Sequence, residues 1–160
     1  MDMFNHAPHD YKCPICLAVD GIESKDTMMK QDDILYRDNL VMAVVNSKFI
    51  TGNEGHVIVV PKKHYENFYD LPDEVGEKII KIAKRVAIAM KEIRGCDGIM
   101  IQQNNEPASG QHALHYHMHI FPRFNNDNIW LKMKDAYVAN PSERHKYSDP
   151  LKQYFRKIKG

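Results

Sequence analysis

Histidines occupy every second position of one short stretch of this sequence, as His115, His117 and His119. A β-strand with this period points all three side chains to one face, whereas an α-helix would scatter them around its axis. The residues between them are aromatic or apolar and would share the opposite face, which suits a protein core. The pattern therefore predicts a strand over residues 113–121 with three imidazoles on one side.

Imidazole can perform several kinds of chemistry near neutral pH. Its unperturbed pKa of about 6.5 allows it to act as a metal ligand, a base or a nucleophile. The simpler interpretation is a histidine-rich surface strand or an adventitious metal clip. Strict alternation, with Gly110 and Gln111 at the entrance to the strand, favours a functional site. The residues alone leave open which histidine takes which role.

A second group of reactive side chains lies near the start of the sequence. Cys13 and Cys16 have the Cys-x-x-Cys spacing with which a tight turn supplies two thiolates to zinc. Cys96 stands alone, so histidines must complete such a site. The candidates are His64, one histidine of the triad, and His6 or His9. Four protein ligands would make the metal structural, because no position remains for a reactive water.

The same cysteine spacing is also typical of a thioredoxin-like redox pair. Such a pair follows an apolar strand that begins a βαβ unit, and residues 5–12 contain no apolar strand pattern. The sequence therefore favours zinc over redox chemistry.

The surrounding sequence predicts the elements that position these residues. Apolar residues spaced three and four apart predict a helix that begins near Pro72 and ends at Gly95. Its apolar stripe consists of Val75, Ile79, Ile82, Val86, Ala89 and Ile93. Apolar and β-branched runs bounded by turn residues predict five strands, at residues 34–37, 40–46, 56–61, 98–103 and 113–121.

The remaining segments predict loops and two shorter helices. We expect a turn at Asp38 and Asn39, a short helix and loop over 17–31, and loops over 47–55 and 104–110. A terminal helix is predicted over 151–158, with Ser148 as its cap. The order of elements predicts an α+β domain, in which a five-stranded antiparallel sheet carries one long helix and a short N-terminal helix.

Length and composition limit the class of protein. The 160 residues fit a single domain, 1–160, with a polar tail (1–12), a core (13–123) and a C-terminal extension (124–160). No apolar stretch reaches the roughly 20 residues of a membrane span, and none resembles a secretory leader. We therefore expect a cytoplasmic protein with reduced thiols and no membrane partner.

Charge is distributed unevenly along the sequence. Residues 1–122 hold 13 Lys or Arg against 17 Asp or Glu, whereas residues 123–160 hold 9 against 4. The basic extension is either a solvated surface, which is the simpler interpretation, or a region that attracts a polyanionic ligand. The net charge of the whole chain is only +1. We do not expect a nucleic-acid partner.

The stretch His115-Tyr-His-Met-His-Ile-Phe, together with residues 55–64, closely resembles the histidine triad (HIT) family of nucleotide hydrolases and transferases. The resemblance covers most of residues 13–123. It is greatest to the bacterial branch that carries an N-terminal Cys-x-x-Cys and a tryptophan soon after the triad, here Trp130. Members of the family form homodimers in which the two sheets are continuous.

The resemblance assigns roles to individual residues. It implies zinc held by Cys13, Cys16, His64 and His115. It implies that His117 is the nucleophile and that His56 and His119 flank the α-phosphate. Substrate contacts are implied for Asn46 at the ribose and for Asn104, Gln111 and His112 around the phosphate. A neutral His117 can attack phosphorus, and the backbone carbonyl of His115 can fix its tautomer.

Three features depart from the family pattern. His112 stands where Ser or Thr is usual, so its imidazole either protonates the leaving group or faces solvent. Glu106 replaces a common glycine and would either repel phosphate or select a cationic leaving group. The loop between Asn46 and His56 is longer than in the shortest members.

Together, the residues and the resemblance predict cleavage at the α-phosphate of a purine nucleotide conjugate, with an AMP or GMP moiety, through a nucleotidyl-histidine on His117. One alternative is a dinucleoside polyphosphate hydrolase, whose longer phosphate chain would suit the basic extension. Another is a zinc-stabilised nucleotide-binding protein with little turnover. A third makes the triad itself a catalytic metal centre.

Overall fold

A computed structural model describes residues 4–24 and 27–157. The helices are α1 (Pro14–Val19), α2 (Asp73–Arg94), α3 (Ile129–Lys132) and α4 (Pro141–Lys157). The strands are β1 (Ile34–Arg37), β2 (Val41–Val45), β3 (Lys48–Phe49), β4 (Val57–Pro61), β5 (Gly98–Gln103), β6 (Met118–Arg123) and β7 (Tyr137–Val138). No helix in the described ranges is both long and apolar enough to cross a membrane.

Five strands form one antiparallel sheet in the order β1-β2-β4-β6-β5. The first hairpin turns at Asp38, whose carboxylate accepts the backbone N–H groups of Leu40 and Val41, both at 2.8 Å. Such a side-chain bond to the backbone is what makes Asp a turn residue. The predicted α+β class and five-stranded antiparallel sheet are confirmed, and so is the predicted first turn.

Different elements pack on the two faces of the sheet. Alternate residues of β2 and β4 join α2 and α4 in the larger core cluster, while the intervening residues pack against α1 and Met29. This division follows from the period of two in strands. Functional side chains on the α1 face are thus separated from α2 and α4 by the full thickness of the sheet.

The long helix agrees closely with its predicted limits. Pro72 is its N-cap, and Gly95 ends it in the left-handed conformation with φ of 59°. The predicted apolar stripe is buried except for its last member, Ile93, which is exposed. Along the predicted stripe, burial therefore ends at Ala89, about one turn before the helix does.

The histidine strand is shorter than predicted. It begins at Met118, not at residue 113. The preceding backbone donors bond outside the sheet: His115 N–H bonds the carbonyl of Ala113 at 2.8 Å, and Tyr116 N–H bonds the carbonyl of Tyr65 at 2.6 Å. The predicted alternation of burial nevertheless holds, since Tyr116, Met118 and Ile120 all lie in the core.

Helix α4 differs most from its prediction. It begins at Pro141, where the Asn140 side chain accepts the N–H of Glu143 at 2.9 Å, so Ser148 lies buried within the helix and is not its cap. Pro150 lies inside the helix, although proline favours the first turn of a helix. The predicted end at residue 158 lies outside the described residues.

Two smaller predictions also need correction. The first helix begins at Pro14, before the predicted start at residue 17, and the predicted segment 17–31 includes residues 25 and 26, which lie outside the described ranges. Part of the predicted loop 47–55 is strand β3, which pairs with β7.

A buried ion pair joins α4 to the segment before β1. The guanidinium of Arg144 donates to the carboxylate of Asp33 at 3.1 Å and to the carbonyls of Met28 and Ala139 at 3.3 and 3.1 Å. Both charged side chains are almost completely buried, at 2% and 0% exposure. The pair therefore fixes the position of residues 28–33 on the edge of the sheet.

We expect Arg144→Met to lower the free energy of unfolding by about 3–5 kcal/mol, because the buried Asp33 carboxylate loses its charge partner. Urea unfolding at neutral pH, followed by circular dichroism, measures the change. The double variant Asp33→Asn/Arg144→Met removes both charges and should recover most of the loss. A single variant within about 1 kcal/mol of the wild type would contradict this role for the pair.

Candidate active site and metal centre

The middle histidine of the triad is held in one tautomer. Nδ1 of His117 lies 2.7 Å from the carbonyl oxygen of His115, so Nδ1 carries the proton and donates it. Nε2 is left with a free lone pair. Burial lowers the pKa of His117, which keeps the ring neutral at neutral pH. The arrangement is that of an imidazole prepared to act as a nucleophile.

His119 lies beside His117, with ring centroids 4.9 Å apart and planes at 80°. Burial, and then the neighbouring His56, keeps the pKa of His119 well below its ordinary value. The rings of His117 and His119 are therefore neutral donors or acceptors of hydrogen bonds.

His56 lies behind the triad and does not line the cavity. Its ring is 2% exposed and stacks on Phe121 at 4.2 Å. Its Nε2 lies 2.7 Å from Nδ2 of Asn46, which can donate to it. Burial lowers the pKa of His56 to about 3. The geometry makes His56 a support for Asn46 and for the wall behind His119.

A cavity of about 320 Å³ opens between the sheet and α1. Four residues for which the resemblance implies roles line it: Asn46, His112, His117 and His119. Lys48, Ser47 and Tyr11 add polar groups. The rest of the wall is small or apolar, from Pro14, Ile15, Met28, Met29, Ile58, Gly110 and Ala113. The polar groups, with the Lys48 ammonium among them, therefore suit an anionic group, and the apolar wall suits a flat ring.

Gln111 and Asn104 lie outside the cavity lining, and Gln111 supports the loop that carries His112. The side chain of Gln111 is 4% exposed, accepts the N–H of Glu106 at 2.6 Å, and donates to the carbonyl of Glu66 at 2.7 Å. Asn104 accepts from Gln102 at 3.2 Å. With both ends of its amide engaged, Gln111 positions the loop.

The unusual Glu106 is held by the N-terminal segment. Its backbone is left-handed, with φ of 64°, which explains why glycine is common at this position. Its carboxylate accepts from the backbone N–H and side-chain amide of Asn5, at 3.0 and 2.9 Å. The predicted tail is thus attached to the loop through Asn5, and also to Glu66 through His6 at 3.0 Å.

Four side chains converge where α1 meets the end of β4. The ligand atoms of Cys13, Cys16, His64 and His115 all lie within 4.8 Å of one another. Three sulfur–nitrogen separations are 3.2, 3.3 and 3.5 Å. A tetrahedral zinc ion with Zn–S of about 2.3 Å and Zn–N of about 2.0–2.1 Å places sulfur and nitrogen about 3.5 Å apart. The donor set and its spacing fit zinc.

The hydrogen bonds made by the two histidine rings also suit the binding of a cation. Nε2 of His115 donates to the carbonyl of Pro61 at 2.9 Å, which leaves Nδ1 free toward the cysteines. Nε2 of His64 lies 3.7 Å from a Glu66 oxygen, and carboxylates often orient metal-binding histidines in this way. Burial beside Cys13 raises the pKa of the Cys16 thiol to about 12, so a metal ion is what would ionise it.

The other candidates for the metal group are not brought together with it. His6 bonds Glu66, and His9 is exposed outside the group. Within residues 4–12 no strand precedes α1, as a thioredoxin-like unit would require. His117 and His119 also lie outside the group, so the structure does not gather the triad around a single ion.

Sequence reasoning missed several residues of the cavity. Lys48 lies in the segment 47–55 that the sequence predicts as a loop, and only its closeness to Asn46 in the sequence points to the cavity. Tyr11, Met28 and Met29 reach the cavity only because α1 and the segment before β1 fold over the sheet. That contact has no local pattern in the sequence.

Sequence comparisons with known proteins agree on one family. The sequence model described as HIT domain matches residues 28–126. A HIT-like protein of Methanocaldococcus jannaschii is 39% identical over 125 residues, which cover 78% of this chain and 88% of that protein. An adenylylsulfatase of Arabidopsis thaliana is 28% identical, over 60% of this chain and 48% of that protein.

The fold agrees as well. The crystal structure of a zinc-bound histidine triad family protein from Mycobacterium smegmatis superposes with a TM-score of 0.73. The match covers 92% of this chain and 96% of that chain at 24% sequence identity.

Proposed function

Because this chain belongs to the histidine triad (HIT) family, we propose that it is a nucleotidyl hydrolase that cleaves at the α-phosphate of purine nucleotide conjugates, such as nucleoside phosphoramidates. The observation that carries the proposal is the state of His117. Its Nδ1–H is bonded to the carbonyl of His115, and the ring lines a cavity with His119. A neutral imidazole in this tautomer presents Nε2 as a nucleophile.

The proposed reaction has two displacements at phosphorus. Nε2 of His117 forms a bond to the α-phosphorus as the bond to the leaving group breaks, and the leaving group takes up a proton. Water then attacks the same phosphorus, gives up a proton, and breaks the phosphorus–nitrogen bond. The products are a nucleoside monophosphate and the free leaving group. His119 and Lys48 can stabilise the charge on the phosphoryl oxygens.

The shape of the cavity supports a nucleotide as the substrate. Ile15, Met28, Met29 and Ile58 offer apolar surface for a base, between α1 and the sheet. Asn46 also lines the cavity, and its amide oxygen is available to a ribose hydroxyl while Nδ2 is turned to His56. The adenylylsulfatase relative supports an adenylyl group as the part transferred.

We propose that Cys13, Cys16, His64 and His115 hold a zinc ion. With four protein ligands the ion would be structural and would hold α1 and the triad loop together. His115 would then serve two purposes, since its ring faces the metal group and its carbonyl orients His117.

The basic extension gives little support to a dinucleoside polyphosphate substrate. Leu151 and Phe155 of α4 pack in the core cluster with α2, on the face of the sheet opposite to Ile58 and the cavity. Of its lysines and arginines, none lines the cavity among the described residues. Phosphoramidates are therefore the better candidates.

Comparing two substrates tests the proposed function. We expect an adenosine 5′-phosphoramidate to be turned over faster than diadenosine tetraphosphate, with AMP release measured by chromatography. Intact mass spectrometry of acid-quenched samples should show the protein carrying one adenylyl group. The opposite order would favour the polyphosphate hydrolase. AMP binding without turnover of either compound would favour a zinc-stabilised binding protein and contradict the proposal.

We also propose that the chain is a single domain that forms a homodimer through β5. This strand is at the edge of the sheet, and one side of its backbone is unpaired within the described chain. Ile101 on the strand and Ile80 and Ile88 on α2 are exposed. Pairing of two β5 edges would join the sheets of two copies, as the family resemblance implies.

A further inference from the structure

We infer that His112 is the general acid that protonates the leaving group. This inference rests on the proposed nucleotidyl transfer to His117. Ser or Thr is usual at this position in the family, and an imidazole there offers a proton donor of a different chemical type.

The position of His112 is fixed although its side chain is exposed. Gly110, with φ of 89°, turns the chain, and the side-chain amide of Gln111 bonds the backbone of Glu106 within the same loop and the backbone of Glu66 after β4. His112 follows directly and lines the cavity together with His117 and His119. An exposed ring on a fixed loop can hold a proton donor near the leaving group and exchange protons with water.

The other imidazoles are poorly suited to this role. His115 is 0% exposed and directs its Nδ1 toward the cysteines. The pKa of His56 is lowered to about 3 and that of His119 lies well below its ordinary value, because both are buried. Neither carries a second proton at neutral pH. His117 is the nucleophile.

Four other polar side chains line the same cavity, and two of them, Asn46 and Ser47, carry no proton that ionises near neutral pH. Burial raises the pKa of Tyr11, and its hydroxyl already accepts the N–H of Leu114 at 3.0 Å. Lys48 is the remaining alternative, and its positive charge suits a phosphoryl oxygen. A Lys48 variant therefore belongs in the test.

The proton balance of the step is complete. In the first displacement, protonated His112 gives its proton to the nitrogen or oxygen of the leaving group as the bond from phosphorus to that atom breaks. The leaving group departs as a neutral amine or alcohol, and His112 becomes neutral. In the second displacement, His112 accepts the proton of the attacking water while the bond between phosphorus and His117 breaks. Both histidines then return to their starting states.

The test compares two substrates whose leaving groups differ in their need for a proton. An alkylamine phosphoramidate of AMP has a leaving group that must be protonated, whereas the p-nitrophenyl ester of AMP releases a stable anion. We expect His112→Gln and His112→Ala to reduce kcat/KM for the phosphoramidate by about 100-fold or more, the usual lower limit for general acid catalysis, and to affect the ester far less. His9→Ala, which removes an exposed imidazole outside the cavity, is the matched control.

Other outcomes would overturn the inference. Equal losses on both substrates would show that His112 acts in binding or positioning. Unchanged kcat/KM on both substrates would show that His112 takes no part in the reaction. If Lys48→Ala, and not the His112 variants, lost activity on the phosphoramidate alone, Lys48 would be the acid. Wild-type protein that forms no adenylyl adduct with either compound would overturn the proposed function as well, so the two failures are distinguishable.

Discussion

Replacing His117 with alanine is expected to abolish nucleotide turnover and adduct formation. The side chain supplies the atom that would bond to phosphorus, and no other ring of the triad lines the cavity with an equivalent tautomer fixed by a carbonyl. We expect kcat/KM to fall by at least about 10⁴-fold, the order of loss seen when a hydrolase loses its covalent nucleophile. AMP release and intact mass measure the two effects.

The control for this result is the folded state of the variant. His117 lies partly exposed in the cavity wall, and its loss should leave the melting temperature within a few degrees of the wild-type value. His9→Ala should keep full turnover. An adenylyl adduct on the His117→Ala protein would remove His117 as the nucleophile and assign the covalent step to another residue.

Removing two ligands of the metal group is expected to release the metal and to lower the melting temperature strongly. The four side chains join α1, the loop after β4 and the triad loop, which share no continuous secondary structure. Free energy of metal binding contributes directly to folding when the site exists only in the folded state. We expect Cys13→Ala/Cys16→Ala to lose bound zinc and to melt about 10 °C or more below the wild type.

Zinc content by elemental mass spectrometry and melting by calorimetry test this expectation. Cys96→Ala is the matched control, because Cys96 is buried but lies outside the metal group. It should keep one zinc per chain. A double variant that retains its metal would contradict the proposed ligands and would favour an ion bound by the triad histidines.

Local patterns were sufficient to predict much of the fold. The alternation through the triad correctly assigned Tyr116, Met118 and Ile120 to the core, and the helix ended at Gly95 as expected. These predictions succeeded because the period of burial is a property of neighbouring residues. The predicted start of β6 was wrong because the backbone N–H of Tyr116 bonds the carbonyl of Tyr65, a residue that is distant in sequence and not part of the sheet. The predicted start of α4 was too late because Pro150, a residue that disfavours the interior of a helix, lies inside it.

The site was predictable to the extent that its residues are close in sequence or match the family. Cys13, Cys16, His64 and His115 do come together, but only the family resemblance selected His64 and His115 from the six candidate histidines. The location of His56 behind His119 depends on how β4 lies against β6. Roles of individual side chains, the dimer, the cytoplasmic location and the single domain stay predictions.

One peptide unit connects the metal group to the proposed chemistry. The ring of His115 faces the cysteines, and the carbonyl of the same residue receives the proton of His117. A redesign that shifts residue 115 to admit a larger or softer ion will also rotate that carbonyl and disturb the lone pair on its neighbour. Under the proposed zinc site and mechanism, metal preference and reaction rate are therefore coupled through residue 115, and an engineer must optimise both in the same step.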